Sequence, residues 1–132
     1  MAYTANEQIA LARSNSPAGP FKQDIVIALS GTGKQIDPFI FFDGNGKVYM
    51  YHVKLQHGNR IFVTEMKPDL SDIVQGTEME CISGTEQWEN TANTDWPVTE
   101  GPTVLKHKNL YYLIYSANDF RNKDYAVGYA TS

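Results

Sequence analysis

Hydrophobic and polar positions alternate over short stretches of this chain, and turn residues separate the stretches. "DPFIFFDGNGKVYMYHV" holds two apolar runs around Asp43, Gly44, Asn45 and Gly46. Asp-Gly and Asn-Gly supply the positive φ that a tight turn between antiparallel strands requires, so this stretch predicts a β-hairpin, with Asp43 and Asn45 as turn chemistry. "NRIFVTEM" predicts a third strand. "NLYYLIYSAN" and "DYAVGYATS" predict another pair, joined by polar residues 118–124, with Tyr111, Tyr112 and Tyr115 mostly in the core. Lys106, His107 and Lys108 read as a solvated hairpin tip. "EQIALARS" starts with helix propensity, but "SNSPAGPF" follows and breaks it. Residues 69–97 carry the weakest pattern: one outer strand within "DLSDIVQGTEMECIS", then a long polar loop, "GTEQWENTANTDWP". No segment has the length and 3.6-residue period of a helix, so the class is all-β with antiparallel strands.

Internal repetition sharpens this picture. At a shift of about 64 residues, "DPFIFFDGNGKVYMYHV" lies over "GPTVLKHKNLYYLIYSA" without a gap. Pro38 then meets Pro102, Tyr51 meets Tyr115, and Asp37 falls opposite Gly101, one residue from Glu100. "YTANEQIALARS" lies over "YSANDFRNKDYAVGYATS", with Tyr3 on Tyr115, Ala5 on Ala117 and Asn6 on Asn118. After an insertion, "ALARS" meets "GYATS". The repeating unit is roughly 50 to 60 residues of short antiparallel strands, the size of a four-stranded propeller blade. A single unit of this kind cannot bury its apolar face alone. The chain reads as the end of one blade (1–35), a whole blade (36–97) and the start of the next (98–132), a partial propeller of about two blades.

Composition narrows the function classes. A chain of 132 residues with 42% hydrophobic and 20% charged positions can bury a core and is not a disordered sequence. The net charge of -4 comes from interspersed acids and bases, with no basic stripe to neutralise phosphates, which argues against nucleic acid as a partner. No apolar run approaches a membrane span, and the chain start shows no signal-peptide pattern. Cys81 is the single cysteine, so no internal disulfide forms. His52, His57 and His107 lie on or near predicted strands without partners at metal spacing, so they read as surface or core histidines and no metal or cofactor is implied.

The stretches "ALARSNSPAGPF", "IDPFIFFDGNGKVYMYH", "VTEGPTVLKHKNLYYLIYSAN" and "DYAVGYATS", in this order and spacing, resemble the middle of a family 43 glycoside hydrolase. The resemblance implies a five-bladed β-propeller acting on arabinose- or xylose-containing glycans. It also implies three acids around a central pocket: a general base on the first blade, an aspartate on the second that tunes and orients the acid, and a general acid on the third. Carried onto this chain, Asp37 in "IDP" takes the tuning role and Glu100 in "EGP" that of the general acid. The base is expected upstream of Met1 and two further blades beyond Ser132, so the isolated chain is expected to be inactive. Members of the family are often exported. An oligo- or polysaccharide is the implied partner. The alternative function is a non-catalytic carbohydrate-binding or structural propeller module. Strand edges left without a neighbour invite pairing with a second copy, so a homo-oligomer is a further expectation.

The chemistry fits those roles. An inverting glycosidase protonates the leaving oxygen with one carboxylic acid and activates water with a second carboxylate about 6.5–9.5 Å away. The acid must hold its proton near neutral pH, and a nearby like charge or partial burial achieves that. Proline is expected to mark the start of each inner strand, where no ladder donor is lost. Trp88 and Trp96 lie in the loop near the acid. Their rings either stack on sugar or pack beneath the loop.

Overall fold

The computed structural model describes residues 1–23, 28–31 and 33–132. Nine strands form three antiparallel sheets among these residues. The first sheet is a hairpin of β1 (Ala2–Ala5) and β2 (Gln8–Leu11). The second runs β3 (Gln35–Phe42), β4 (Val48–Leu55), β5 (Asn59–Met66) and β6 (Met79–Ile82) in sequence order. The third contains β7 (Thr99–His107), β8 (Leu110–Ala117) and β9 (Ala126–Thr131). "EQIALARS" thus yields a strand: Ile9 and Ala10 are both buried, Ile9 against the second sheet, and that burial overrides the local propensity. The outer strand expected within residues 69–83 is β6. The polar loop after it holds one short 3-10 turn, Gln87–Glu89.

The β3–β4 hairpin closes where the turn signal predicts. Gly46 has φ 84°, the backbone N–H of Asp43 donates to the carbonyl of Lys47, and the Asp43 carboxylate accepts from the N–H of Gly44. Asp43 also works across sheets. It is buried, and it accepts hydrogen bonds from Lys106 Nζ (3.0 Å) and the Tyr111 hydroxyl (2.9 Å) of the neighbouring sheet. The Lys106 ammonium lies 4.4 Å from the centre of the Tyr111 ring. Lys106 stays exposed, as expected of a solvated tip, while it makes this contact. Its stem reaches sideways along the sheet, and docking of the two sheets supplies an acid that the local sequence does not contain.

Apolar contact between consecutive sheets, rather than within one, makes the core. Ile9 of β2 packs with Val48, Met50, Met66 and Ile73 between the first and second sheets. Val53 and Ile61 of the second sheet pack with Tyr115 and Ala117 of the third. Val53, Ile61 and Ala117 are each 0% exposed, and burying a side chain the size of valine or isoleucine contributes about 1.5–3 kcal/mol. Each sheet therefore depends on its neighbour for stability, as the repeat implied. β7 lies beside β3, β4 and β5, and its start is tied to β5 by the N–H of Asn59 donating to the carbonyl of Pro97.

The two proline-marked sites are equivalent in backbone as well as in sequence. Register breaks between Ile36 and Phe39 in β3, and between Glu100 and Thr103 in β7. Asp37 (φ 53°) and Gly101 (φ 62°) occupy the left-handed region, each just before its proline. Pro38 and Pro102 thus stand at bulges within their strands and not at strand starts. At a bulge the ladder is already interrupted, so the missing N–H costs nothing there either.

Candidate active site

The bulges re-aim the acids. A β-bulge turns one side chain out of the regular alternation, and a non-glycine residue held at positive φ stores strain that the surroundings must enforce. The N–H of Asp37 donates to Thr4 Oγ1 of β1 at 3.1 Å, and Asp37 Oδ2 accepts from the N–H of Gly101 in β7 at 3.1 Å. All three sheets therefore meet at Asp37. Because Gly101 follows Glu100 directly, this bond brings the two predicted acids into one site.

Glu100 is half-buried, and four side chains define its surroundings. Oε1 accepts from the Tyr125 hydroxyl at 3.1 Å, and Oε2 faces Asn59 Nδ2 at a long 3.5 Å. Partial burial raises the Glu100 pKa above the ordinary glutamate value, and the charges of Asp37 and, more weakly, Asp119 push it the same way. The bonds from Tyr125 and Asn59 act in the opposite direction. The like-charge effect expected from the sequence is present, but withdrawal from water is the larger cause.

The two tryptophans separate. Trp88 packs, with its ring centre 5.7 Å from that of Tyr115 and its indole against β9 at Gly128, where an added Cβ would meet the ring at 2.3 Å. Trp96 is 49% exposed, and its indole N–H donates to Asn59 Oδ1 at 3.0 Å. The same Asn59 faces Glu100, so the ring of Trp96 is oriented relative to the acid. Beside it lies a cleft of about 560 Å3, bounded also by Val98, Asn118, Asp119 and Arg121.

Asn59, Tyr125 and Asn118 escaped sequence reasoning as site residues. Asn118 is 3% exposed with φ 68°. Its amide donates to the carbonyls of Trp88 (2.8 Å) and Asp124 (3.1 Å), and its Oδ1 accepts from the N–H and hydroxyl of Thr91 (2.9 and 3.1 Å). One signal was available: Asn118 aligns with Asn6 in the repeat, and Asn6 likewise has positive φ (51°). No such signal marked Asn59, which reaches Glu100 from the neighbouring sheet, or Tyr125, which reaches it from the β8–β9 connection. His52 is a core residue, fully buried on β4, and no group of three His, Cys, Asp or Glu side chains gathers as a metal site among the described residues. Nor is any helix among them long and apolar enough to cross a membrane.

The family model described as glycosyl hydrolases family 43 matches residues 1–132. The chain belongs to this family. An endo-1,4-beta-xylanase from Bacteroides thetaiotaomicron is 43% identical, superposes with a TM-score of 0.90, and aligns over 99% of this chain and 44% of its own. A thermostable family-43 glycoside hydrolase is 40% identical with a TM-score of 0.84, over 95% of this chain and 42% of its own. An endo-arabinase from Bacteroides thetaiotaomicron shares only 16% identity but the same fold, with a TM-score of 0.79 over 99% of this chain and 54% of its own. No curated protein matches the chain. The chain thus spans less than half the length of the two more similar structures. Its sheets are antiparallel blades of the family-43 five-bladed propeller, about two blades' worth.

Proposed function

We propose that these residues carry two of the three acids of an inverting glycoside hydrolase that cleaves arabinose- or xylose-containing polysaccharide. Glu100 is the general acid and Asp37 raises its pKa and orients it. The blades are residues 1–35, 36–97 and 98–132. The observation that carries this reading is the bond from the N–H of Gly101 to Asp37 Oδ2, which holds a like charge beside a half-buried Glu100. A raised pKa keeps the acid protonated so that it can donate to a leaving oxygen. The xylanase similarity supports the substrate class. We further propose that the general base comes from outside these residues. Asp119, the other acid that acts on Glu100, is engaged by Arg121 through two N–H groups of the side chain (2.7 and 2.6 Å), which holds it down at about 2.

Two measurements on the 132-residue chain test this reading. Titration of the Glu100 side-chain carboxyl by carbon NMR is expected to give a pKa above the ordinary glutamate value, and Asp37→Asn is expected to lower it. An unchanged Glu100 titration in that variant overturns the tuning role. Aryl xylosides and aryl arabinofuranosides are expected to survive incubation with the chain. Turnover that Glu100→Gln abolishes overturns the proposal of an external base.

Self-association is a second expectation. β9 pairs with β8 on one side alone among the described strands, and Val127 and Tyr129 on it are 69% and 68% exposed. An edge of this kind is a template for a further strand. Light scattering at micromolar concentration is expected to show dimers or larger species, and a monodisperse monomer counts against edge pairing.

A further inference from the structure

The two bulges satisfy their backbone in the same way. A residue at a bulge drops out of the strand ladder, so its N–H needs an acceptor from elsewhere. At Asp37 that acceptor is Thr4 Oγ1 of the first sheet, at 3.1 Å. At Gly101 it is Asp37 Oδ2 of the second sheet, also at 3.1 Å. In each case a side-chain oxygen of one sheet holds a left-handed residue of the next, with φ 53° and 62°. Thr4, Asp37 and Gly101 thus form a series that crosses all three sheets and ends beside Glu100.

The weak point of the series is Asp37. Glycine adopts φ 62° at no steric cost, whereas Asp37 carries a Cβ and keeps φ 53° only where its surroundings enforce it. Pro38 works against the turn, because a residue before proline is biased towards extended backbone. The bond from the Asp37 N–H to Thr4 opposes that bias at the backbone itself. Were the backbone to relax, the Asp37 side chain would swing and Oδ2 would leave Gly101. Thr4 shares its place in the repeat with His52 and Ser116, since Tyr3, Tyr51 and Tyr115 align. The ring nitrogens of His52 make no hydrogen bond, and in the second sheet the Asp37 carboxylate takes the task instead. Docking of the first sheet does not itself depend on the Thr4 hydroxyl. The Gln35 N–H donates to the carbonyl of Glu7 (2.9 Å), Gln8 Nε2 donates to the carbonyl of Gly33 (3.1 Å), and Ile9 packs in the core.

We propose that Thr4 is a positioning residue: its hydroxyl oxygen fixes the left-handed turn at Asp37 and, through the Asp37 carboxylate and the N–H of Gly101, the place of Glu100. The proposal rests on the glycosidase reading above. It adds a residue of the first sheet that acts through the backbone of Asp37.

The test uses variants of the full 132-residue chain. Thr4→Val and Thr4→Ala remove the acceptor, and Thr4→Ser keeps it. Asp37→Asn is measured alone and together with Thr4→Val. Nitrogen–proton NMR follows exchange of the Asp37 and Gly101 amides, and carbon NMR follows the titration of Glu100. Without the Thr4 oxygen both amides are expected to exchange about fivefold faster, the factor that corresponds to one net hydrogen bond of about 1 kcal/mol. The Glu100 titration is expected to move down, in the direction of Asp37→Asn but less far, because the Asp37 charge is loosened and not removed. Thr4→Ser is expected to match the parent in both readouts. The double variant is expected to titrate as Asp37→Asn does, since Thr4 acts through Asp37. Unchanged amides overturn the assignment, and so does a Glu100 titration that responds to Asp37→Asn but ignores the loss of the Thr4 oxygen. A Thr4→Ser variant that moves as far as Thr4→Val, or a double variant that moves Glu100 beyond Asp37→Asn, overturns it too. Failure of the glycosidase reading is separate: Asp37→Asn then leaves Glu100 unmoved, and the two amides still report whether Thr4 holds the turn.

Discussion

Asn118→Ala is expected to destabilise the chain by about 3–4 kcal/mol, because it removes four hydrogen bonds made by one buried side chain, each with a net value of about 1 kcal/mol. The amide contacts Trp88, Thr91 and Asp124 at once, so its loss also leaves the carbonyls of Trp88 and Asp124 and the N–H of Thr91 without that partner. Asn118 sits at φ 68°, where asparagine is tolerated better than alanine, and this adds to the cost. Denaturant midpoints at matched pH measure the loss. Asn118→Asp keeps the acceptor for Thr91 but presents a carboxylate to two carbonyl oxygens, so it is expected to recover little of the stability. A loss well under 1 kcal/mol in the alanine variant would mean that the loops are held by other contacts. Asn118 also borders the cleft that Trp96 lines, so its loss is expected to loosen that cleft together with the fold.

Glu78→Ala is expected to cost about 3 kcal/mol, the lower end of the range for removing one partner of a buried ion pair, since Glu78 itself retains contact with water. Lys54 is 5% exposed on β4, and its Nζ lies 2.7 Å from Glu78 Oε2 and 5.1 Å from the centre of the Phe62 ring. Without Glu78 that charge stays buried with only the aromatic face beside it. His52 depends on the same carboxylate. It is fully buried, neither ring nitrogen makes a hydrogen bond, and Glu78 Oε1 stands 3.5 Å from its Nε2. Burial lowers the His52 pKa below the ordinary value of 6.5, and the Glu78 charge partly opposes this.

The sign of the pH effect follows from that direction. A histidine whose folded pKa is depressed takes up a proton more readily when unfolded. Its contribution is therefore intact above 6.5 and is lost as pH falls from there through the folded pKa. In Glu78→Ala the opposing charge is gone, the folded pKa drops further, and the acid loss deepens. Chemical denaturation above and below the ordinary histidine pKa checks both statements. A pH profile that Glu78→Ala leaves parallel to the parent would show that the carboxylate does not act on His52.

Legible along the chain were the strand plan and the equivalence of the Asp37 and Glu100–Gly101 positions. The Asp-Gly-Asn-Gly turn lies between β3 and β4, and the repeat that set Asp37 over Gly101 matched two bulges with the same left-handed backbone and the same following proline. Alternation, turn residues and self-similarity are properties of neighbours in the chain, so they can be read along it. The tertiary structure alone decided what surrounds Glu100. Asn59 comes from β5 and meets Glu100 because consecutive sheets dock, while Tyr125 and Asp119 come from the β8–β9 connection of Glu100's own sheet and reach it by the folding back of that loop. It decided likewise that Lys106 pairs with Asp43, and that Trp88 packs on Gly128 while Trp96 faces a cleft. These contacts depend on how one sheet seats against the next, which the summed burial of Val53, Ile61, Tyr115 and Ala117 fixes and no short stretch of residues encodes.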